Sequence, residues 1–114
     1  MPKSSAQSFP DNDALFWKIA AELIGTRGVA EGTMFGYRCL RVQGAFLAWI
    51  YDENGSLVVK LNKARTRELI DSGIAAPFTP AGRTFKEWVS VSIVDEDLWR
   101  DLLDEAIVIA EERK

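Results

Sequence analysis

Histidine is absent from the 114 residues, and cysteine occurs once, as Cys39. Without an imidazole the chain can form neither a Ser-His nor a Cys-His nucleophilic pair, nor a metal site built on histidine. A single thiol cannot close an intramolecular disulfide, and Cys39 reads as a small apolar filler. Purely apolar runs extend only a few residues, well short of the roughly 20 that a membrane span requires. The opening Met-Pro-Lys-Ser-Ser-Ala-Gln-Ser lacks the apolar core of a signal peptide. A reducing cytoplasm is the expected compartment, with no membrane partner. An excess of basic charge is also missing. The net charge of -3 argues against tight non-specific nucleic-acid binding, which depends on Lys and Arg displacing counterions, and leaves room only for weak binding at a local basic face.

What is present is ordinary globular composition, 47% hydrophobic and 27% charged, in a length that suits one core. Residues 1–12 are polar and aperiodic and predict a flexible tail before a single domain over 13–114. Leu15, Phe16, Ile19, Leu23 and Ile24 recur at helical spacing, so a first helix is expected over about residues 13–24, ended by Gly25.

Three strands follow, about 38–42, 45–51 and 56–60, joined by the turn signals Gln43-Gly44 and Asn54-Gly55. Asn62 can cap a short helix over about 63–72, stopped by Gly73. From Phe85, Val89, Val91 and Ile93 alternate with Trp88, Ser90 and Ser92, which predicts a half-buried strand. Asp95 can then cap a long helix, with Val94 stapled against Trp99. That helix presents Leu98, Leu102, Ala106 and Ile109 on one side, and eight acids between Asp95 and Glu112 mark the other. The expected fold is α+β: an antiparallel sheet, made of a three-stranded meander and at least one further strand, covered by an N-terminal, a short middle and a long C-terminal helix.

Cationic and aromatic residues gather in Lys60-Leu-Asn-Lys-Ala-Arg-Thr-Arg67 and Gly82-Arg-Thr-Phe-Lys-Glu-Trp88. Lys60, Lys63, Arg65 and Arg67 run without an intervening acid. They suit either a carboxylate or phosphate site or an ordinary solvated helix face. Trp49 and Trp88 are compatible with the sheet face opposite Val89 and Val91, as a platform for a planar anion, as core, or as a dimer contact. Arg83 can bind a carboxylate through two parallel hydrogen bonds or pair structurally with Glu87 or an acid of the last helix. The tentative ligand-binding set is therefore Lys60, Arg83, Lys86, Trp88, Trp49, Lys63 and Arg65. No catalytic residue, metal ligand or cofactor is expected. Gly25, Gly28, Gly32 and Gly36 match neither a phosphate-loop nor a dinucleotide fingerprint.

Specific words accompany this order of elements: Met34-Phe35-Gly36, Leu40-Arg-Val-Gln-Gly44, Val58-Val-Lys-Leu61, Ala76-Pro-Phe78 and Gly82-Arg-Thr-Phe-Lys-Glu-Trp-Val89. Together, over roughly residues 14–112, they resemble the TfoX N-terminal domain family, in its branch of short stand-alone proteins. The resemblance implies a YjbR-like α+β fold and a bacterial, non-enzymatic, regulatory binding module. The family's namesake regulates competence for DNA uptake and normally carries a further C-terminal domain.

The expected function is thus a non-catalytic binding or regulatory module. Its partner is a protein or a small anionic ligand, and homodimerisation is open. A nucleic-acid-associated regulator with a basic surface is the first alternative, and an enzyme for a small anionic substrate the second.

Overall fold

The computed structural model describes residues 9–34, 36–51 and 53–112. Helix α1 (Pro10–Leu23) precedes strands β1 (Val29–Met34), β2 (Tyr37–Val42), β3 (Ala45–Ile50) and β4 (Leu57–Lys60). Helix α2 (Lys63–Asp71), strand β5 (Ala76–Phe78), a 3-10 turn (Pro80–Gly82), strand β6 (Phe85–Val91) and helix α3 (Glu96–Glu112) follow. The strands form one six-stranded antiparallel sheet in the order β1-β2-β3-β4-β6-β5. This is the expected α+β arrangement, with the meander at β2–β4.

Local chemistry accounts for the joints. Gln43 and Gly44 both have positive φ, 51° and 85°, the conformation a two-residue turn needs to follow the twist of its strands. In the β3–β4 connection, Asn54 Oδ1 accepts from the Ser56 amide at 3.0 Å. Asn62 Oδ1 accepts from the Arg65 amide at 2.8 Å and so satisfies one of the orphan donors at the start of α2.

Two strands were not anticipated. β1 carries Glu31 and Gly32 and is mostly exposed, so it has no apolar alternation to read. β5 is three residues long and contains Pro77, which an edge strand tolerates because no ladder donor is needed there. Conversely, β6 ends at Val91, and Ile93, expected on the buried side, is exposed.

Helix α1 begins at Pro10 rather than near residue 13. Proline loses nothing at a first helical position, and Asp11 and Asp13 in the first turn suit the positive end of the helix dipole. Phe9 and Asn12, read from sequence as tail, pack on the β3–β4 turn, and Asn12 Nδ2 donates to the Gly55 carbonyl at 3.0 Å. A Cβ on Gly55 would stand 2.5 Å from Asn12 Nδ2 and 2.6 Å from a Phe9 ring carbon, so glycine is needed for close approach as well as for its φ of 73°. The rest of the expected tail, residues 1–8, lies outside the described residues.

The main core lies between the helices and one face of the sheet. Phe16 and Ile19 from α1, and Trp99, Leu102, Leu103 and Ile107 from α3, meet Leu40, Leu57, Val59, Val89 and Val91. Asp95 Oδ1 accepts from the Leu98 amide at 2.9 Å, the expected cap of α3. The Trp99 indole donates to the Ile93 carbonyl at 2.8 Å, while Val94, expected to staple it, is 52% exposed.

Ion pairs fasten α3 to its neighbours. Arg100 binds Glu22 and Glu96, Lys18 reaches Glu96 at 3.1 Å, Arg27 reaches Glu111 at 2.8 Å and Arg65 reaches Glu105 at 2.8 Å. The Arg100 guanidinium holds the carboxyls of Glu22 and Glu96 below the ordinary carboxylate range through hydrogen bonds to their charged forms. No helix among the described residues is long and apolar enough to cross a membrane.

Candidate functional site

The sheet face away from the helices is closed by its own side chains. Cys39, Phe46, Trp49, Val58 and Phe78 are buried there, and Met34, Tyr37, Tyr51, Phe85 and Trp88 pack around them half-buried. Burial pushes the Cys39 thiol up, which suits its role as filler.

The rings fall into two sets. Trp49 and Tyr51 are near-parallel, at 3° with centroids 6.3 Å apart. Phe78, Phe85 and Trp88 lie within 19° to 32° of one another. Tyr51 meets Phe78 at 86°, so the sets stand at about a right angle and form a corner. A trough of about 580 Å³ opens between them. At its rim the Arg83 guanidinium lies 5.4 Å from the Phe85 ring centroid, and Glu53 accepts from the Tyr51 hydroxyl.

Two irregularities of the sheet build this corner. Strict alternation would put Phe46 and Trp49 on opposite faces, since they are three residues apart. The register of β2 with β3 shifts between Leu40 and Arg41, and the bulge brings both rings to the same side. Phe85 and Trp88 are likewise three apart, and the shift between Pro77 and Phe78 in the β5–β6 pairing accompanies their placement on one face.

A second depression, of about 400 Å³, lies where α2 passes β5 and β6. Lys63, Thr66, Arg67 and Ile70 line it at the three- and four-residue spacing that makes one helix face. Pro77, Thr84, Phe85, Lys86 and Trp88 line the rest of the wall, and no acid is among the described lining residues. Phe85 and Trp88 line both depressions and so stand between them.

Charge is sorted across the molecule. Among the described residues, Lys18, Arg27, Arg38, Arg65 and Arg100 each have a carboxylate within salt-bridge distance. Arg41 is held by the carbonyls of Thr33 and Gly44. Lys60, Lys63, Arg67, Arg83 and Lys86 form no ion pair among the described residues, and all but Lys60 line the two depressions.

Of the residues singled out from sequence, Lys63, Lys86 and Trp88 share the cationic cleft, and Trp49, Arg83 and Trp88 share the trough. Lys60 stands opposite Trp88 across the β4–β6 pair and lines a separate hollow of about 260 Å³ beside the end of α3. Arg65 faces away from both depressions and is bound to Glu105 and Glu68. Tyr37, Phe78 and Phe85 were missed as trough residues. Their aromatic character was visible, but the bulges and the short β5 that place them were not. Among the described residues no group of His, Cys, Asp or Glu could hold a metal ion.

A six-stranded antiparallel sheet with helices on one face and an aromatic corner on the other defines an α+β protein of helix-on-sheet type. The YjbR family model matches residues 25–106, most of the chain, and the chain belongs to the YjbR family. This is the fold relationship implied by the resemblance to TfoX N-terminal domains. No curated protein and no solved structure matches it.

Proposed function

We propose that this protein is a binding module that takes a small organic ligand with a flat apolar ring and an anionic group, and that it acts by binding rather than by catalysis. The observation that carries this reading is the pair Phe85 and Trp88, which separates an aromatic trough of about 580 Å³ from a cleft of about 400 Å³ lined by Lys63, Arg67 and Lys86 with no acid among its described lining residues. Largely apolar concavities with a few convergent polar groups are where small ligands bind, and aromatic corners take a planar ring by stacking and edge contact. Cations left without a carboxylate, in a chain whose net charge is -3, supply the complement to an anion.

The test is tryptophan fluorescence and thermal shift with a panel of planar organic anions and their uncharged analogues. Saturable quenching by the anions, with stabilisation that grows with ligand excess, is expected. A panel that leaves both signals unchanged removes the reading.

A nucleic-acid-associated regulator is the second reading. It is favoured by Lys60, which adds a further cation directly across from Trp88. Base stacking on aromatic side chains beside a cationic track is how single strands are held. Affinity for short single-stranded DNA that rises with strand length and falls steeply with salt distinguishes it from small-ligand binding.

A further inference from the structure

The two depressions differ in chemistry, and the difference specifies a ligand more narrowly. We infer that the site takes a nucleoside monophosphate, with its base in the trough and its phosphate in the Lys63–Arg67–Lys86 cleft. This deepens the small-ligand reading above and rests on it.

One cation suffices for a carboxylate, whereas three cations lining one cleft, with no acid among its described lining residues, match the nearly dianionic charge and three acceptor oxygens of a phosphomonoester. Thr66, 4% exposed, lines the same cleft. The trough has the opposite character, with Trp88 and Phe85 on one wall and Trp49 and Tyr51 on the other, at about a right angle.

Phe85 and Trp88 belong to both walls and stand between the two depressions. A ring in one and a phosphate in the other must therefore be held apart by a spacer about as wide as an aromatic side chain. A pentose provides that separation, and a phosphate attached directly to the ring does not. Arg83 lies on the trough side, over Phe85, where it can face the exocyclic acceptors of a base.

The experiment measures dissociation constants by tryptophan fluorescence at low ionic strength for the four common nucleoside 5′-monophosphates, their nucleosides and inorganic phosphate. At least one monophosphate is expected to bind tenfold or more tightly than its nucleoside and than phosphate alone. In Lys63→Ala/Lys86→Ala, that monophosphate should fall to the affinity of its nucleoside, while the nucleoside itself binds as in the parent. Both side chains are on exposed residues, so the variant should fold, and an unchanged melting curve checks that.

If every monophosphate binds no more tightly than its nucleoside, the phosphate assignment is overturned while ring binding in the trough stands. Failure of monophosphates and nucleosides alike, with binding of other planar anions, also overturns the inference and leaves the broader small-ligand reading intact. If oligonucleotides bind and monophosphates do not, the occupant is a single strand, and the inference fails in favour of the second reading.

Discussion

Arg65 of α2 and Glu105 of α3 are joined by two hydrogen bonds, Nε to Oε1 at 2.8 Å and the terminal NH2 nitrogen to Oε2 at 3.1 Å. This fork turns Arg65 toward the helix layer, while Lys63 and Arg67, two residues away on either side, line the cleft. On a helix, residues two apart point in different directions, and here that separates a scaffold cation from binding cations.

The division gives a paired prediction. Arg65→Ala should lower stability modestly, by about 0.5–1 kcal/mol for a partly exposed pair, and leave ligand affinity unchanged. Lys63→Ala/Lys86→Ala should do the reverse. Urea denaturation and fluorescence titration of both variants check it, and equal effects on affinity would place Arg65 back in the site.

Arg83→Ala combined with Lys86→Ala should abolish binding of the anionic ligand while stability stays within about 1 kcal/mol of the parent, since neither side chain is in an ion pair with a described residue. Early unfolding of this variant would make both residues scaffold.

Leu102, 1% exposed between α3 and the sheet, should cost about 2–5 kcal/mol when changed to alanine, from lost apolar burial and the cavity left behind. A melting temperature close to the parent's would mean that the inner face of α3 is assigned wrongly.

Gly55→Ala should destabilise by about 1–3 kcal/mol, because the new methyl meets Phe9 and Asn12 at a backbone φ of 73°. A control at Gly73, whose φ is 82° but which has open space around it, should cost less. The difference between the two melting curves isolates the docking of Phe9 and Asn12 on the β3–β4 turn.

Acid should weaken the clasp between α1 and α3. The Glu22 and Glu96 carboxyls are lower in the folded protein than their ordinary value of 4.5, so their contribution is present above that pH and is lost as pH falls through the folded values. Melting temperature measured from pH 7 to pH 3 should drop at the acid end, and Arg100→Gln should flatten that drop. Added salt should shrink the effect, since the pairs are at the surface. A variant with the parent's full acid sensitivity would assign the loss to other groups.

Much of the architecture is settled by local rules that the chain carries openly. Leu98, Leu102, Ala106 and Ile109 recur at a period that only a helix can bury on one side. Asn62 and Asp95 mark helix starts because their side chains accept from amides three residues on. Gln43-Gly44 joins two strands because both residues accept positive φ. The absence of histidine excludes imidazole chemistry whatever the fold. Cationic and aromatic residues near 60–67 and 82–88 were visible as a cluster for the same reason: their chemistry is a property of the residue and does not depend on placement.

Which of those residues meet was decided by long-range pairing. Arg65 could be separated from Lys63 only once α3 brought Glu105 beside it, 40 positions along the chain. The bulges that set Phe46 with Trp49 and Phe85 with Trp88 break the two-residue alternation on which strand reading depends, and they are properties of the strand pairing. β1 and β5 have too little apolar pattern to announce themselves and exist because a neighbouring strand offers its free edge. The sequence by itself determined the elements and the chemistry available on them, since propensity, capping and turn conformation act over a few residues. Only the tertiary structure decided the corner of rings and the cleft beside it, because a concave site is a relation between distant segments.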